Sequence, residues 1–113
     1  MEIRLNESLA KWPGEDFPQQ FCREVAALAF GTLPLQRAME RGSVVLDKPP
    51  RVLVLNNQQD NRQLCVRAGV FFNSAIAGCN CADDPTPLDE LEEYCELQFV
   101  IDIDTGIARV DIL

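Results

Sequence analysis

Cys95-Glu96-Leu97-Gln98-Phe99-Val100-Ile101-Asp102-Ile103-Asp104-Thr105-Gly106-Ile107-Ala108-Arg109-Val110-Asp111-Ile112 is the stretch whose reading decides the fold. Cys95, Leu97, Phe99, Ile101 and Ile103 share one face, and Glu96, Gln98, Asp102 and Asp104 share the other. A period of two residues is that of a strand with one side on a core. Thr105-Gly106 supplies a turn. Setting Ile103 opposite Ala108 brings Ile101 to Val110 and Phe99 to Ile112 on the apolar face, with Asp102 beside Arg109 outside. Slipping by one residue would place Ile101 against Arg109 and spoil both faces. The spacing therefore predicts an antiparallel hairpin.

Upstream, Arg51-Val52-Leu53-Val54-Leu55 is too β-branched and too short for a helix, and it follows Asp47-Lys48-Pro49-Pro50, which forces an extended turn. The polar residues 56–61 read as a hairpin loop. Beyond them, residues 62–74 alternate Leu64, Val66, Ala68, Val70 and Phe72 with Gln63, Cys65, Arg67, Gly69, Phe71 and Asn73, which predicts another strand. Leu53 and Leu55 point opposite to Val52 and Val54, so the first of these strands needs a cover on its second side. The N-terminal arm, with Ile3, Leu5, Leu9 and Trp12, or a second copy of the chain would provide one.

Helices are expected before residue 45. Residues 1–16 carry the pattern Ile3, Leu5, Leu9, Trp12 and then the breaker run Pro13-Gly14-Glu15-Asp16, which suggests a short strand or an arm. Asp16 has Pro18 in the following turn and Gln19 three residues on, an N-cap arrangement. Phe21, Cys22, Val25, Leu28 and Ala29 then fall on one helical face, which predicts an amphipathic helix ending near Gly31. Thr32 is placed to cap a shorter helix through Pro34, Leu35, Ala38 and Met39, closed by Gly42 after Arg37 and Arg41. The expected architecture is a single α+β domain over residues 1–113, with two N-terminal helices packed on one face of a mainly antiparallel sheet of about four strands.

Composition narrows the function. The net charge is −8, and it is unevenly spread: residues 1–67 hold nine bases against eight acids, whereas residues 68–113 hold Arg109 against ten acids. Charge of this sign repels phosphate backbones and anionic lipid, so neither nucleic acid nor membrane is an expected partner, and a basic protein segment or self-association is. No apolar run approaches the roughly 18 residues of a membrane span, and acids stand where a secretory signal would carry bases. Five cysteines, an odd number, fit a reducing compartment, and the expected location is the cytoplasm.

The chain has no histidine, which removes Ser-His and Cys-His nucleophilic systems and every histidine metal site. Its six glycines are isolated, and none opens a phosphate-binding loop. The residues thus favour a non-catalytic interaction or regulatory module over an enzyme, and no cofactor is expected. Its binding residues would be Asp83, Asp84, Asp89, Glu90, Glu92 and Glu93, which crowd a connection of residues 79–96 around Pro85-Thr86-Pro87, with a short amphipathic turn over Leu88, Leu91 and Tyr94. The alternative is a metal-binding or thiol-redox protein centred on Cys79 and Cys81, which can chelate zinc or another thiophilic metal or close a strained disulfide. Cys65 and Cys95 would complete a four-thiolate site, but the strand parities set them on opposite faces. Acids beside thiols also raise their pKa and work against a reactive thiolate.

Overall fold

A computed structural model describes residues 3–29, 31–42, 44–75 and 90–113. Its longest elements, β4 (Gln63–Ala75) and β5 (Glu90–Asp102), pair antiparallel from Gln63 opposite Asp102 to Ala75 opposite Glu90. At about 3.3 Å per residue this is a ribbon roughly 40 Å long. β6 (Ile107–Ile112) lies along the other side of β5, and β1 (Ile3–Arg4) pairs with β6. On the far side of β4 lie β2 (Val44–Val45), opposite residues 74–75, and β3 (Arg51–Asp60), opposite residues 63–71, end to end along one edge. Among the described residues three helices, α1 (Asn6–Ala10), α2 (Phe17–Ala26) and α3 (Leu35–Ala38), accompany this antiparallel sheet of six strands. The fold is α+β; the four long strands match the expected number, and two dipeptide strands extend the sheet. Among the described residues no helix is long and apolar enough to cross a membrane.

The core lies on one face of the sheet. Leu64, Val66, Ala68 and Val70 of β4 and Leu97, Phe99 and Ile101 of β5 are fully buried, beneath Phe17, Phe21 and Val25 of α2. Those three helix positions are spaced by four, so they form one stripe. Phe21 meets Phe99 edge to face at 5.0 Å, and Trp12 meets Phe17 at 5.1 Å. Truncating Phe21 to alanine at such a site costs about 3–5 kcal/mol.

Several local expectations are corrected, each for a physical reason. Asp16 precedes α2, but its backbone is already helical (φ −83°, ψ −9°), so its side chain makes no cap hydrogen bond and only its carbonyl accepts, from the Gln20 amide at 3.0 Å. The helix ends at Ala26 rather than near Gly31. The second helix is a single turn preceded by Pro34, without a Thr32 cap, and at Met39 the chain becomes extended (ψ 135°). The arm of residues 1–16 contains α1, whose first amides are held by a carboxylate from α2. Glu24 accepts from the Ser8 amide at 2.8 Å, the Ser8 hydroxyl at 2.5 Å and the Glu7 amide at 3.3 Å.

Residues 56–60 are strand, not loop, because β4 offers a ladder partner to each of them; the turn is only Asn61-Arg62, with Asn61 at φ 54°, a conformation that asparagine tolerates. The register slips at Leu55, the extra residue of a bulge between Val54 (opposite Ala68) and Asn56 (opposite Arg67). In the last hairpin the faces are as expected but the partners are displaced by two residues: Ala108 meets Ile101, Val110 meets Phe99 and Ile112 meets Leu97, while Arg109 lies opposite Val100. The longer turn is shaped by the N-terminal arm. The Gly106 carbonyl accepts from the Leu5 amide at 2.9 Å, and Gly106 takes φ +76° with no room for a Cβ, which would stand 1.7 Å from Asn6 Oδ1. The arm therefore packs on the core side, where Leu5 and Ser8 are buried, and leaves the opposite side of Leu53 and Leu55 uncovered. The turn expected over Leu88, Leu91 and Tyr94 is also corrected: residues 90–94 are strand, paired with residues 71–75.

Candidate functional site

The outer face of the sheet carries an uncovered apolar cluster. Leu53 (41% exposed), Leu55 (47%), Phe71 (43%) and Tyr94 (45%) lie on neighbouring strands β3, β4 and β5. The ladder places Arg51 beside Phe71 and Phe71 beside Tyr94, and in the next outer row Leu53 beside Gly69 and Gly69 beside Glu96. The Tyr94 ring lies across Gly69: a Cβ there would meet Oη at 2.7 Å and Cε2 at 2.9 Å. It stacks at a tilt on Phe71, with ring centroids 4.7 Å apart. Gly69 is what lets one ring settle onto the sheet beside the other.

Charged groups hold this cluster in place. The Tyr94 hydroxyl donates to Glu96 Oε2 at 3.3 Å, and Arg67 donates to Glu96 Oε1 through Nε at 2.8 Å and also through Nη2. The Arg67 hydrogen bonds hold the Glu96 carboxyl below the usual carboxylate range against some desolvation. Partial burial, and then the Glu96 charge, push the Tyr94 phenol up. A lysine–carboxylate pair, Lys48 with Glu90, borders the cluster, and Glu90 also accepts from Asn73 Nδ2 at 3.2 Å. Among the described residues the side chains of Arg51 and Glu92, both exposed, have no partner.

The expected binding acids divide three ways. Glu90 and Glu92 stand on the outer face of β5. Glu93 points the other way and is buried at 5% exposure. Its carboxylate accepts from the amides of Gly42 at 2.8 Å, Arg41 at 3.0 Å and Glu40 at 3.2 Å and from the Ser74 hydroxyl at 2.7 Å. Burial alone would raise the Glu93 carboxyl, but the Ser74 and amide hydrogen bonds together outweigh it and hold the group below its ordinary value. It ties residues 40–42 to the sheet, which is why α3 ends where it does. Asp83, Asp84 and Asp89, like Cys79 and Cys81, lie outside the described residues.

The three described cysteines are free thiols. Cys65 pairs with Val100, five residues from Cys95 along β5 and of opposite parity, so the two do not converge. Burial, with Glu93 and Glu96 nearby, pushes the Cys95 thiol up to about 11. Burial also raises Cys22, against a hydrogen bond from the Val54 backbone. Among the described residues no three metal-ligating side chains gather.

Away from this face, an apolar cleft of about 460 Å³ lies between the end of α2, residues 31–36 and residues 45–50. Its walls include Leu28, Leu33, Leu35, Val45 and Pro49. Two of its polar side chains are engaged elsewhere, Gln36 Oε1 by the Val45 amide and Lys48 by Glu90, and so are poorly placed to orient a ligand.

Alternation alone puts Phe71 on the outer face but does not reveal the cluster, because the spacing of Leu88, Leu91 and Tyr94 suggests a short amphipathic turn rather than a strand. The available signal was an aromatic residue recurring in a polar strand face two positions from a glycine. Compared with known proteins, the chain matches no family, no curated protein and no solved structure.

Proposed function

We propose that this protein is a non-catalytic interaction or regulatory module of the cytoplasm. Its contact surface is the outer sheet face around Phe71 and Tyr94 together with the acidic stretch 79–96, and its partner is a basic protein segment or a second copy of the chain. The observation that carries the reading is the apolar cluster left open in the middle of a sheet whose other face is packed. Full burial of a side chain of this size is worth about 1.5–3 kcal/mol, and these four are a little under half exposed, so covering what remains of each is worth roughly 1 kcal/mol and favours a partner that covers them together. Supporting features are the carboxylates of Glu90 and Glu92 at the border of the cluster and the free thiols of Cys22, Cys65 and Cys95, which suit a reducing compartment.

The test is crosslinking and pull-down at low and high salt, comparing the wild type with a Leu53→Ser, Phe71→Ser double variant whose melting temperature is checked alongside. A partner, or a second copy, held by the wild type and released both by salt and by the substitutions is the expected result. A strictly monomeric protein with no salt-sensitive partner refutes the reading.

A further inference from the structure

The outer face has a property that selects its occupant. In an acidic chain of net charge −8, the side chains around the ring pair balance, Lys48, Arg51 and Arg67 against Glu90, Glu92 and Glu96, while Arg41 donates through Nη1 to the Glu92 carbonyl at 3.1 Å and leaves the Glu92 carboxylate unpaired. Four of these six are already joined within the chain, Lys48 to Glu90 and Arg67 to Glu96. Arg51 and Glu92 are the two left over, among the described residues, and they are not placed at random. Arg51 lies opposite Phe71 on β3, and Glu92 lies opposite Asn73 on β5, so β4 runs between them. The midpoint of the line joining them falls on β4 between Phe71 and Asn73, beside the Phe71–Tyr94 ring pair.

We infer that the outer face binds a second copy of this chain, face to face about a two-fold axis at the Phe71–Tyr94 ring pair, with Arg51 of each copy paired to Glu92 of the other. This rests on the reading of the outer face as an interaction surface and names its occupant. The two-fold axis that lies in the contact plane, passes through that midpoint and runs perpendicular to the line joining Arg51 and Glu92 exchanges their positions. It also brings Phe71 and Tyr94 against their counterparts, because both rings lie close to it. One contact then supplies two ion pairs by symmetry and covers the rings, as an isologous interface requires. Arg51 would oppose a basic segment where Glu92 attracts it, whereas a second copy meets its own complement at both. The axis passes at the Arg51 end of β3, so the contact covers only part of the face and suits a reversible rather than a permanent dimer.

Arg51→Glu and Glu92→Arg test it, both at exposed residues, with circular dichroism and melting temperature confirming the fold. Sedimentation velocity over a concentration series is expected to show a reversible wild-type dimer, and each variant alone to dimerise at least about tenfold more weakly. Mixed in equal amounts, the two variants should recover dimerisation. In that mixed dimer both contacts again join opposite charges, one in the native sense and one with the charges exchanged, and native mass spectrometry identifies the one-to-one species by its mass. A wild type that stays monomeric, an Arg51→Glu variant that dimerises as well as the wild type, or a mixture that fails to recover would each overturn the inference. The broader reading fails separately. If the wild type is monomeric but the Leu53→Ser, Phe71→Ser variant loses a captured partner, self-association is refuted and the interaction surface stands; if capture is unaffected, both are refuted.

Discussion

Replacing Glu93 by glutamine should destabilise the protein by about 2–4 kcal/mol at neutral pH, because a single carboxylate there serves four donors. Glutamine keeps one oxygen. Turned toward Gly42, Arg41 and Ser74, which are 2.8, 3.0 and 2.7 Å from Oε2, that oxygen can keep three contacts but loses the charge that strengthens them. The new amide group then faces the Glu40 amide, 3.2 Å from Oε1, donor against donor. For a domain of this size the loss corresponds to a melting temperature lowered by roughly 10 °C. The pH dependence is a second, independent signature. The folded carboxyl titrates below its ordinary value of 4.5, so its contribution is complete above that value and disappears as pH falls through the folded one. Urea unfolding of both proteins across the range should therefore show a gap that is widest near neutrality and narrows in acid, where protonated Glu93 resembles glutamine. A gap under about 0.5 kcal/mol at neutral pH, or one that does not change with acidification, would refute the account of the site.

Two further predictions use residues that occur once. Tyr94 is the only tyrosine, so absorbance titration reads it alone; its phenol should ionise above 10, and Glu96→Gln should bring the midpoint down by removing the adjacent negative charge. An unchanged midpoint would show that the hydroxyl does not sit beside Glu96. Trp12 is the only tryptophan and packs edge to face on Phe17, with its indole N–H donating to Gln59 Oε1 at 2.9 Å. Glu24→Ala should release the α1 amides and the Ser8 hydroxyl, shift Trp12 emission to the red and cost about 1–3 kcal/mol, while β4–β5 amide protection persists. Unshifted emission would mean that α1 is held by its apolar contacts alone.

What was legible in the sequence is what local pattern controls. The alternation through Leu97, Phe99 and Ile101 sets the buried face of β5, and Phe21 and Val25 set that of α2, although Phe17 also belongs to that face and Leu28 and Ala29 lie beyond the helix. The register of β5 on β6 was not legible, since the turn between them is shaped by Leu5 and Asn6 from the opposite end of the chain. Residues 56–59 carry amide side chains and Asp60 a carboxylate, none with a strand preference, and only the template of β4 makes them extended. α1 is five residues long and depends on Glu24, sixteen positions from Ser8. The candidate site was half visible. Phe71 and Gly69 were on the correct face, but Tyr94 joined them only once residues 90–94 proved to be strand. Counting acids located the charge without its direction, and so Glu93, which is turned inward, stood beside Glu90 and Glu92 as an equal.

The two-residue turn at Asn61-Arg62 has a kinetic consequence. Closing Asp60 on Gln63 requires almost no loop, whereas the β4–β5 ribbon must first bring Ala75 to Glu90, and β1 must reach β6 across more than a hundred residues of chain. Closure entropy rises with the length enclosed, so the β3–β4 hairpin is the nucleus the chain reaches most readily and the β1–β6 pairing the last to form. Substitutions in the Asn61 turn should consequently slow folding, while those at Ile3 or Leu5 chiefly hasten unfolding.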